Sequence, residues 1–443
     1  MFGILSSRRL AETSRFMYGV VLKFKSIKGT KDILPDESYR WQFAEQTIRS
    51  VMHAFNYREI RTPVFEETGL FSRGIGELTD IVGKEMYTFT DRSETSITLK
   101  PEMTAAVIRS YIQNNLGEQQ PLVKVYYISP MFRQERPQAG RLRQFHQFGA
   151  EAIGGQHAAI DAEIIALSVT IYQTLGVKNF SVNINSVGCE QCRPAYKEKL
   201  KNHLKSVLSK LSEESQRRFE QNPLRILDSK DENDRALTAD APLMKDYLCE
   251  ACDTHFKTLQ KILRSLKINH TVDGKIVRGL DYYTKTAYEI IGNDLGSQDA
   301  LAGGGRYDLL VKQLGWKDTP AVGFAAGIER LLMTMERQNV FSGNDIQPTV
   351  FITVADDAGR AWAITQAMEL RAHGIPCEID LLNRSLKSQM READRQHAGY
   401  VIIIGGSELE QQQVSVKNMK TGEQQTVKLG DILKFIKSAG QTK

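Results

Sequence analysis

Apolar and polar positions recur along this chain in several rhythms, and the rhythm changes with position. After a Gly- and Pro-marked lead-in from Lys28 to Pro35, a stripe of Trp41, Phe43, Ala44, Ile48, Val51 and Met52 predicts a helix to about Phe55, capped by Asp36 or Ser38. Glu59 to Glu67 reads as one extended segment. Pro63 within it has no N–H for a sheet ladder, which places the segment at an edge or an interface. Tyr87 to Asp91 and Ser96 to Leu99 predict a hairpin around Arg92-Ser93-Glu94, and a helix follows from about Met103 to Asn114. An aromatic run, Leu122 to Ile128, and an alternating run, Arg143 to Ala150, predict two antiparallel strands joined by a basic loop containing Pro137 and Gly140. A helix from Asp161 to Leu175 completes this part.

From Ser186 to about Asn269 charged helical patterns dominate (Tyr196 to Leu211, Glu213 to Gln221, Cys252 to Leu266), which reads as an inserted, mostly helical module. Strand-like sequence resumes at Ile276 to Leu280 and at Ala287 to Ile291. Gly303-Gly304-Gly305 reads as a turn, and Val322 to Gln338 as a Gly-rich strand followed by an apolar helix. Asn344 to Pro348 reads as a linker. Beyond it strands (Val350 to Val354, Cys377 to Leu381, Tyr400 to Ile404) alternate with helices (Ala358 to His373, Ser385 to His397). That alternation predicts a separate small α/β domain with a largely parallel sheet, extended by a hairpin of Val414 to Val416 with Gln425 to Leu429.

Composition narrows the class without naming a function. A chain of 443 residues, 41% hydrophobic and 25% charged, is an ordinary globular protein of two or three domains. Its formal charge of +5 is compatible with a nucleic-acid partner. No apolar run is long enough to span a bilayer. Five cysteines, an odd number in a long chain, argue against a secreted disulfide scaffold and for a reducing compartment. Met1 to Lys25 carries Arg8, Arg9 and Arg15 against the single acid Glu12, which resembles an organelle presequence. The preferred alternative is a start assigned too early, with Met17 the true one.

Four stretches carry candidate chemistry. Phe132 to Glu151, FRQERPQAGRLRQFHQFGAE, gathers Arg133, Arg136, Arg141 and Arg143 around one acid, Glu135. Arginine forks at a strand end suit phosphates, although a solvated charged hairpin would look the same. Leu99 to Thr104, LKPEMT, sets a carboxylate and a hydroxyl where a strand meets a helix, suited to a ligand ammonium or simply to a helix cap. Arg278 to Tyr283, RGLDYY, flanks a glycine with an arginine and two tyrosines. Gly323 to Arg330, GFAAGIER, puts an arginine in the first turn of a helix, where the dipole disfavours a cation and an anion is wanted. Cys189-x-x-Cys192 and Cys249-x-x-Cys252 frame the insertion; four thiolates there suit a structural zinc, and four free thiols are the other reading.

With these motifs in view, the chain resembles the bacterial-type histidyl-tRNA synthetases, class II aminoacyl-tRNA synthetases, from about Phe24 to its end. EIRTPVFEETGLFSRGIGE resembles class II motif 1, FRQERPQAGRLRQFHQFGAE motif 2 and GFAAGIERL motif 3. RGLDYY resembles a signature of the histidine enzymes, and AGGGRYDLL another family block, which usually has Gly where Leu309 stands. KPEMT departs at Lys100, more often Arg, and at Met103, more often Gly beside the amino-acid pocket. The resemblance implies an α+β catalytic domain with an antiparallel sheet over residues 24–345, interrupted by the helical insertion at about 186–270, and an anticodon-binding α/β domain over 346–443. Residues 1–23 are an extension.

The resemblance also implies roles. Arg133 would bind the α-phosphate of ATP, Glu135 the adenine or the loop, Arg141 and Arg330 the remaining phosphates, and Phe145 would stack on adenine. Glu102, Thr104 and Gln147 would hold the histidine ammonium; Glu151 and Tyr283, with Tyr282 nearby, would read the imidazole. Arg278 would bridge the histidine carboxylate and the α-phosphate. Arg136 and Gln138 would meet the tRNA acceptor stem. Mg²⁺ would accompany ATP, and no residue is assigned as a metal ligand. The implied activity is a cytoplasmic, homodimeric histidine–tRNA ligase acting on L-histidine and tRNA(His), dimerising through the motif 1 region. A catalytically silent relative, a histidine-sensing regulatory subunit of ATP phosphoribosyltransferase, is the rival. Arg133, Arg278 and Arg330, all present, and the extra domain from Val350 to Ile436 argue against it. A class II ligase for another amino acid is disfavoured by RGLDYY and by Glu151.

Overall fold

The computed structural model describes residues 24–440 except 77, 78, 80, 139, 230, 281, 294–299 and 342–348. The N-terminal extension, the linker from Asn344 to Pro348 and Asp281 of RGLDYY thus lie outside the described residues. The chain divides into two compact units, Met1–Ser342 and Gly343–Lys443.

The first helix, Pro35–Ala54, starts ahead of both predicted caps, Asp36 and Ser38. Pro35 sits in its first turn, where a missing N–H costs nothing, and the Ser38 hydroxyl donates back to Leu34 O at 3.0 Å instead of capping. The segment expected to be one strand is two, β1 (Arg58–Glu59) and β2 (Phe65–Glu67), in different sheets with Pro63 between them. β3 (Tyr87–Thr90) and β4 (Ser96–Leu99) complete a three-stranded sheet in the order β2-β4-β3.

β5 (Val123–Phe132) and β6 (Gln144–Ile153) form the long antiparallel hairpin. Pro130 is tolerated in β5 because it lies beyond the reach of β1, which pairs only at Val125 and Tyr126. β7 (Phe180–Ser186) precedes the insertion and β8 (Thr271–Val272) follows it. β9 (Thr284–Gly292), β10 (Ala300–Arg306) and β11 (Ala321–Gly327) fill the centre of an eight-stranded sheet ordered β1-β5-β6-β11-β10-β9-β7-β8. Only the outermost pairs, β1 with β5 and β7 with β8, are parallel.

Two expectations fail in this sheet. Gly303-Gly304-Gly305 is not a turn but the middle of β10, paired on both sides. Glycine is there for room: a Cβ on Gly303 would collide with the Arg278 guanidinium, and one on Gly323 with the Glu151 carboxylate. Ile276 to Leu280 is not a strand. The Asn185 amide donates to Gly274 O (3.2 Å) and Ile276 O (2.9 Å), so a side chain takes carbonyls of this loop that a neighbouring strand would otherwise have used.

Alternation on β6 sorts its side chains. Phe148, Ala150 and Ala152 face the helix Ala158–Thr174, whose Ile164, Ile165, Leu167 and Ile171 are fully buried against the sheet. Each such side chain contributes about 1.5–3 kcal/mol by leaving water. The opposite face carries Gln147 and Glu151. Arg306 closes the end of β10. It is fully buried, pairs bidentately with Asp161 and reaches Gly155 O at 2.8 Å, while His255 contacts Asp161 at 3.2 Å. Burial pushes the Asp161 carboxyl up, but His255 and the Arg306 guanidinium outweigh it and hold it at about 2.

The insertion contains helices Arg193–Leu204, Glu213–Gln221, Glu232–Leu237 and Glu250–Ser265, and its own core around Tyr196, Leu200, Phe219 and Met244. In the second unit, β12 (Val350–Val354) pairs in parallel with β13 (Cys377–Ile379) and β14 (Tyr400–Ile404). β15 (Gln413–Asn418) and β16 (Gln424–Lys428) extend it antiparallel, so the sheet is mixed. Helices Asp357–Ala372, Leu386–Arg395 and Ile432–Gly440 accompany it.

Candidate active site

The cavity-facing side of β6 and β11, the loop from Arg278 to Tyr283 and the start of the helix Thr104–Gln113 enclose a cavity of about 240 Å³. Its wall includes Glu102, Thr104, Arg133, Glu135, Arg141, Phe145, Gln147, Glu151, Arg278, Tyr282, Tyr283 and Arg330. Every side chain expected at the ATP and amino-acid subsites is therefore gathered in one place. Arg136 and Gln138 are not on this wall; Gln138 lines a neighbouring groove with Trp41 and His146.

One end of the cavity is buried and already bonded to itself. Glu151, 1% exposed, lies opposite Gly323 on one side and Val125 on the other. It accepts a hydrogen bond from the Thr104 hydroxyl at 2.8 Å and another from the Tyr307 hydroxyl. Burial pushes its carboxyl up to about 8, against the hydrogen bonds that favour the anion. Glu102 accepts from the backbone N–H groups of Thr104 and Ala105, both at 2.8 Å, so it caps the helix and also faces the cavity. Burial raises its pKa too. The rings of Tyr282 and Tyr283 lie 4.7 Å apart and Tyr282 meets Tyr307 edge-on at 5.5 Å, forming an aromatic wall. Met103, where the family pattern more often has Gly, does not line the cavity; it packs in the apolar cluster with Val107 and Tyr127. Lys100, the other departure, is fully buried, and burial lowers its ammonium to about 8.

The other end is a set of guanidinium groups held by backbone and by one acid. Arg133 donates to Pro101 O at 2.9 Å and lies 3.7 Å from Glu135, while Arg141 reaches the other Glu135 oxygen at 3.4 Å. The Arg133 guanidinium sits 5.3 Å from the Phe145 ring centre. Arg330, in the first turn of the helix Ile328–Arg337, donates to Gly140 O (3.2 Å) and Ala300 O (2.9 Å). Arg278 also lines the cavity, packs over Gly303 and pairs with Glu289. Burial opposes its charge, but Glu289 more than compensates and raises its pKa.

Two buried polar atoms on this wall, Gln147 Oε1 and Arg278 Nε, have no hydrogen-bond partner in the protein. Native proteins rarely leave such groups unpaired, and their convergence on one cavity marks a ligand site that is mostly polar. Sequence reading missed three supporting residues. Tyr307 bonds Glu151, Glu289 anchors Arg278, and Glu329 accepts from the His146 backbone N–H (2.8 Å) and contacts its ring (3.0 Å). The Arg306-Tyr307-Asp308 string after the glycines was the available signal for Tyr307.

Both units resemble known proteins. A family model described as histidyl-tRNA synthetase matches residues 29–331, and one described as an anticodon-binding domain matches 349–439. A histidine–tRNA ligase of Chloroherpeton thalassium is 51% identical over 414 residues, covering 93% of this chain and 97% of its own. One from Caldanaerobacter subterraneus subsp. tengcongensis is 48% identical over 414 residues, covering 94% and 99%. Among solved structures, an apo S. aureus histidyl-tRNA synthetase superposes with a TM-score of 0.80 at 38% identity, over 94% of this chain and all of its own.

Proposed function

The chain belongs to the histidyl-tRNA synthetase family, and from that premise we propose how its cavity makes it a histidine–tRNA ligase. The enzyme joins L-histidine to ATP through the α-phosphate, releasing pyrophosphate, and then passes the histidyl group to the terminal adenosine of tRNA(His), releasing AMP. The observation that carries the amino-acid assignment is Glu151, a fully enclosed carboxylate bonded to Thr104 and Tyr307 at the closed end of the cavity.

A neutral imidazole offers one donor and one acceptor nitrogen. Glu151 accepts from the N–H, and a tyrosine hydroxyl, from Tyr283 with Tyr282 beside it, donates to the other nitrogen. An apolar side chain of similar size would leave those buried groups unpaired, a penalty worth several orders of magnitude in selectivity. Glu102, Thr104 and Gln147 hold the ammonium, for which the unpartnered Gln147 Oε1 supports the reading. Arg278, between the two ends, receives the histidine carboxylate on one side and the α-phosphate on the other.

Attack of the carboxylate oxygen on phosphorus builds charge on the phosphate oxygens. Arg133 and Arg278 stabilise it in place, and no reorganisation is needed at the moment of reaction. Arg141 and Arg330 take the remaining phosphates, Phe145 stacks on the adenine, and Glu135 holds the base or the loop. Mg²⁺, a family expectation, would neutralise further phosphate charge when bound with ATP. No protein ligand is assigned to it, since Glu135 Oε2 already faces the Arg141 guanidinium at 3.4 Å.

The Arg136 to Gly140 loop, outside the cavity wall at Arg136 and Gln138, meets the acceptor stem, and the unit from Val350 onward reads the anticodon loop as single-stranded RNA. Dimerisation through the motif 1 segment is supported by Val64 and by Phe65, which is 52% exposed. None of the described helices is long and apolar enough to cross a membrane, and the family expectation is a cytoplasmic enzyme. The regulatory-subunit reading is set aside because Arg133, Arg278 and Arg330 all line the cavity. Pyrophosphate exchange into ATP, run with each of the standard amino acids, tests the proposal. Exchange with histidine alone is the expected result; exchange with none, or with another amino acid, sinks it.

A further inference from the structure

The four cysteines that frame the insertion converge. Cys189 and Cys192 come from the turn after β7, and Cys249 and Cys252 from the start of the helix Glu250–Ser265. Their sulfurs all lie within 4.8 Å of one another. Cys189 Sγ is 3.6 Å from Cys192 Sγ and 3.7 Å from Cys249 Sγ, and Cys192 Sγ is 3.8 Å from Cys252 Sγ. A tetrahedron with metal–sulfur bonds of about 2.3 Å has sulfur–sulfur edges of about 3.8 Å. Two disulfides would instead give two contacts near 2.05 Å and leave the others free to spread; all four thiols are free.

Local structure fits a ligand knuckle. The Cys189 N–H points at Cys192 Sγ from 3.1 Å, and Gly188 adopts φ +69°, where a Cβ would strike Met244 and crowd Cys192 Sγ. Cys192 and Cys252 are buried in the insertion's apolar core and the other two are half-buried, so the centre is shielded from water. The two contacts between the pairs each span 60 residues, so one ion would close a loop comprising most of the module.

We propose that Cys189, Cys192, Cys249 and Cys252 bind one zinc ion that closes the insertion at its base. The ion is structural, because all four positions of the tetrahedron are protein sulfurs and none is left for substrate. The site is independent of the proposed reaction.

Elemental analysis of the full-length chain, expressed with zinc and purified without chelator, tests this. About one zinc per chain is expected, in the ratio a closed tetrathiolate site requires. Cys192→Ser and Cys252→Ser should lose it at least tenfold, and Cys377→Ser should keep it. If the serine variants do not fold, stepwise blocking of thiols in the wild-type chain should release zinc to a colorimetric chelator. Iron in place of zinc, disulfides by intact mass, no stoichiometric metal, or zinc retained in the serine variants overturns the proposal.

Discussion

The two ends of the active-site cavity are built on different principles. At the closed end, Glu151, Thr104 and Tyr307 are bonded to one another before any ligand arrives, inside a wall of tyrosines. At the open end, Arg133, Arg141 and Arg330 lean on backbone carbonyls and on Glu135 and remain partly exposed. On the proposed reading the closed end discriminates: desolvated partners make a wrong side chain expensive. The open end supplies charge, and guanidinium forks suit any nucleoside triphosphate. On the same reading Arg278 serves both, and its guanidinium packs over Gly303.

The sharpest way to break the comparison is at that junction. Arg278→Ala is expected to lower histidine-dependent exchange by roughly a thousandfold or more, since it removes charge stabilisation from the reacting phosphate and leaves Glu289 unpaired. Gel filtration and thermal unfolding should match those of the wild type. An effect outside both ends comes from Arg136→Ala, a residue that is not on the cavity wall. Exchange should stay within about twofold while charging of tRNA falls roughly tenfold and loses part of its salt dependence, as removal of one phosphate contact dictates. Tyr307→Phe removes one hydrogen bond to Glu151 and should raise KM for histidine roughly fivefold to tenfold with KM for ATP unchanged.

The smallest effect is on pH. Burial holds Glu151 at about 8 instead of 4.5. The folded protein therefore binds this proton more tightly than the unfolded chain does. The resulting stability is complete below pH 4.5 and is lost as pH rises through about 8. In Glu151→Gln the fall in Tm between pH 6 and pH 9 should be shallower than in the wild type; an unchanged slope would place the titration elsewhere.

The closed end was more legible in the sequence than the groups that support it. Strand alternation around Phe148 put Gln147 and Glu151 on one face, and a local rule suffices for that. Tyr307 was missed because its partner is 156 residues away, and no local pattern encodes such a contact. Gly303 to Gly305 reads as a turn in the sequence because glycine carries no strand signal; the need for Gly303 comes from Arg278 arriving from another loop. Ile276 to Leu280 is strand-like in sequence, but the Asn185 amide takes the carbonyls of Gly274 and Ile276 at its start. In the unit after Val350 the alternation of strands and helices was strong enough to be read directly, apart from the short helix Gly406–Glu410.

The central claim is that amino-acid choice resides at Glu151 and nucleotide binding does not. Calorimetric titration of Glu151→Gln with histidine and, separately, with ATP tests it most directly. Histidine affinity should fall roughly a hundredfold, as expected when a buried hydrogen-bond partner built for the imidazole is replaced, with ATP affinity unchanged. Equal losses for both ligands, or histidine bound as tightly as by the wild type, would contradict it.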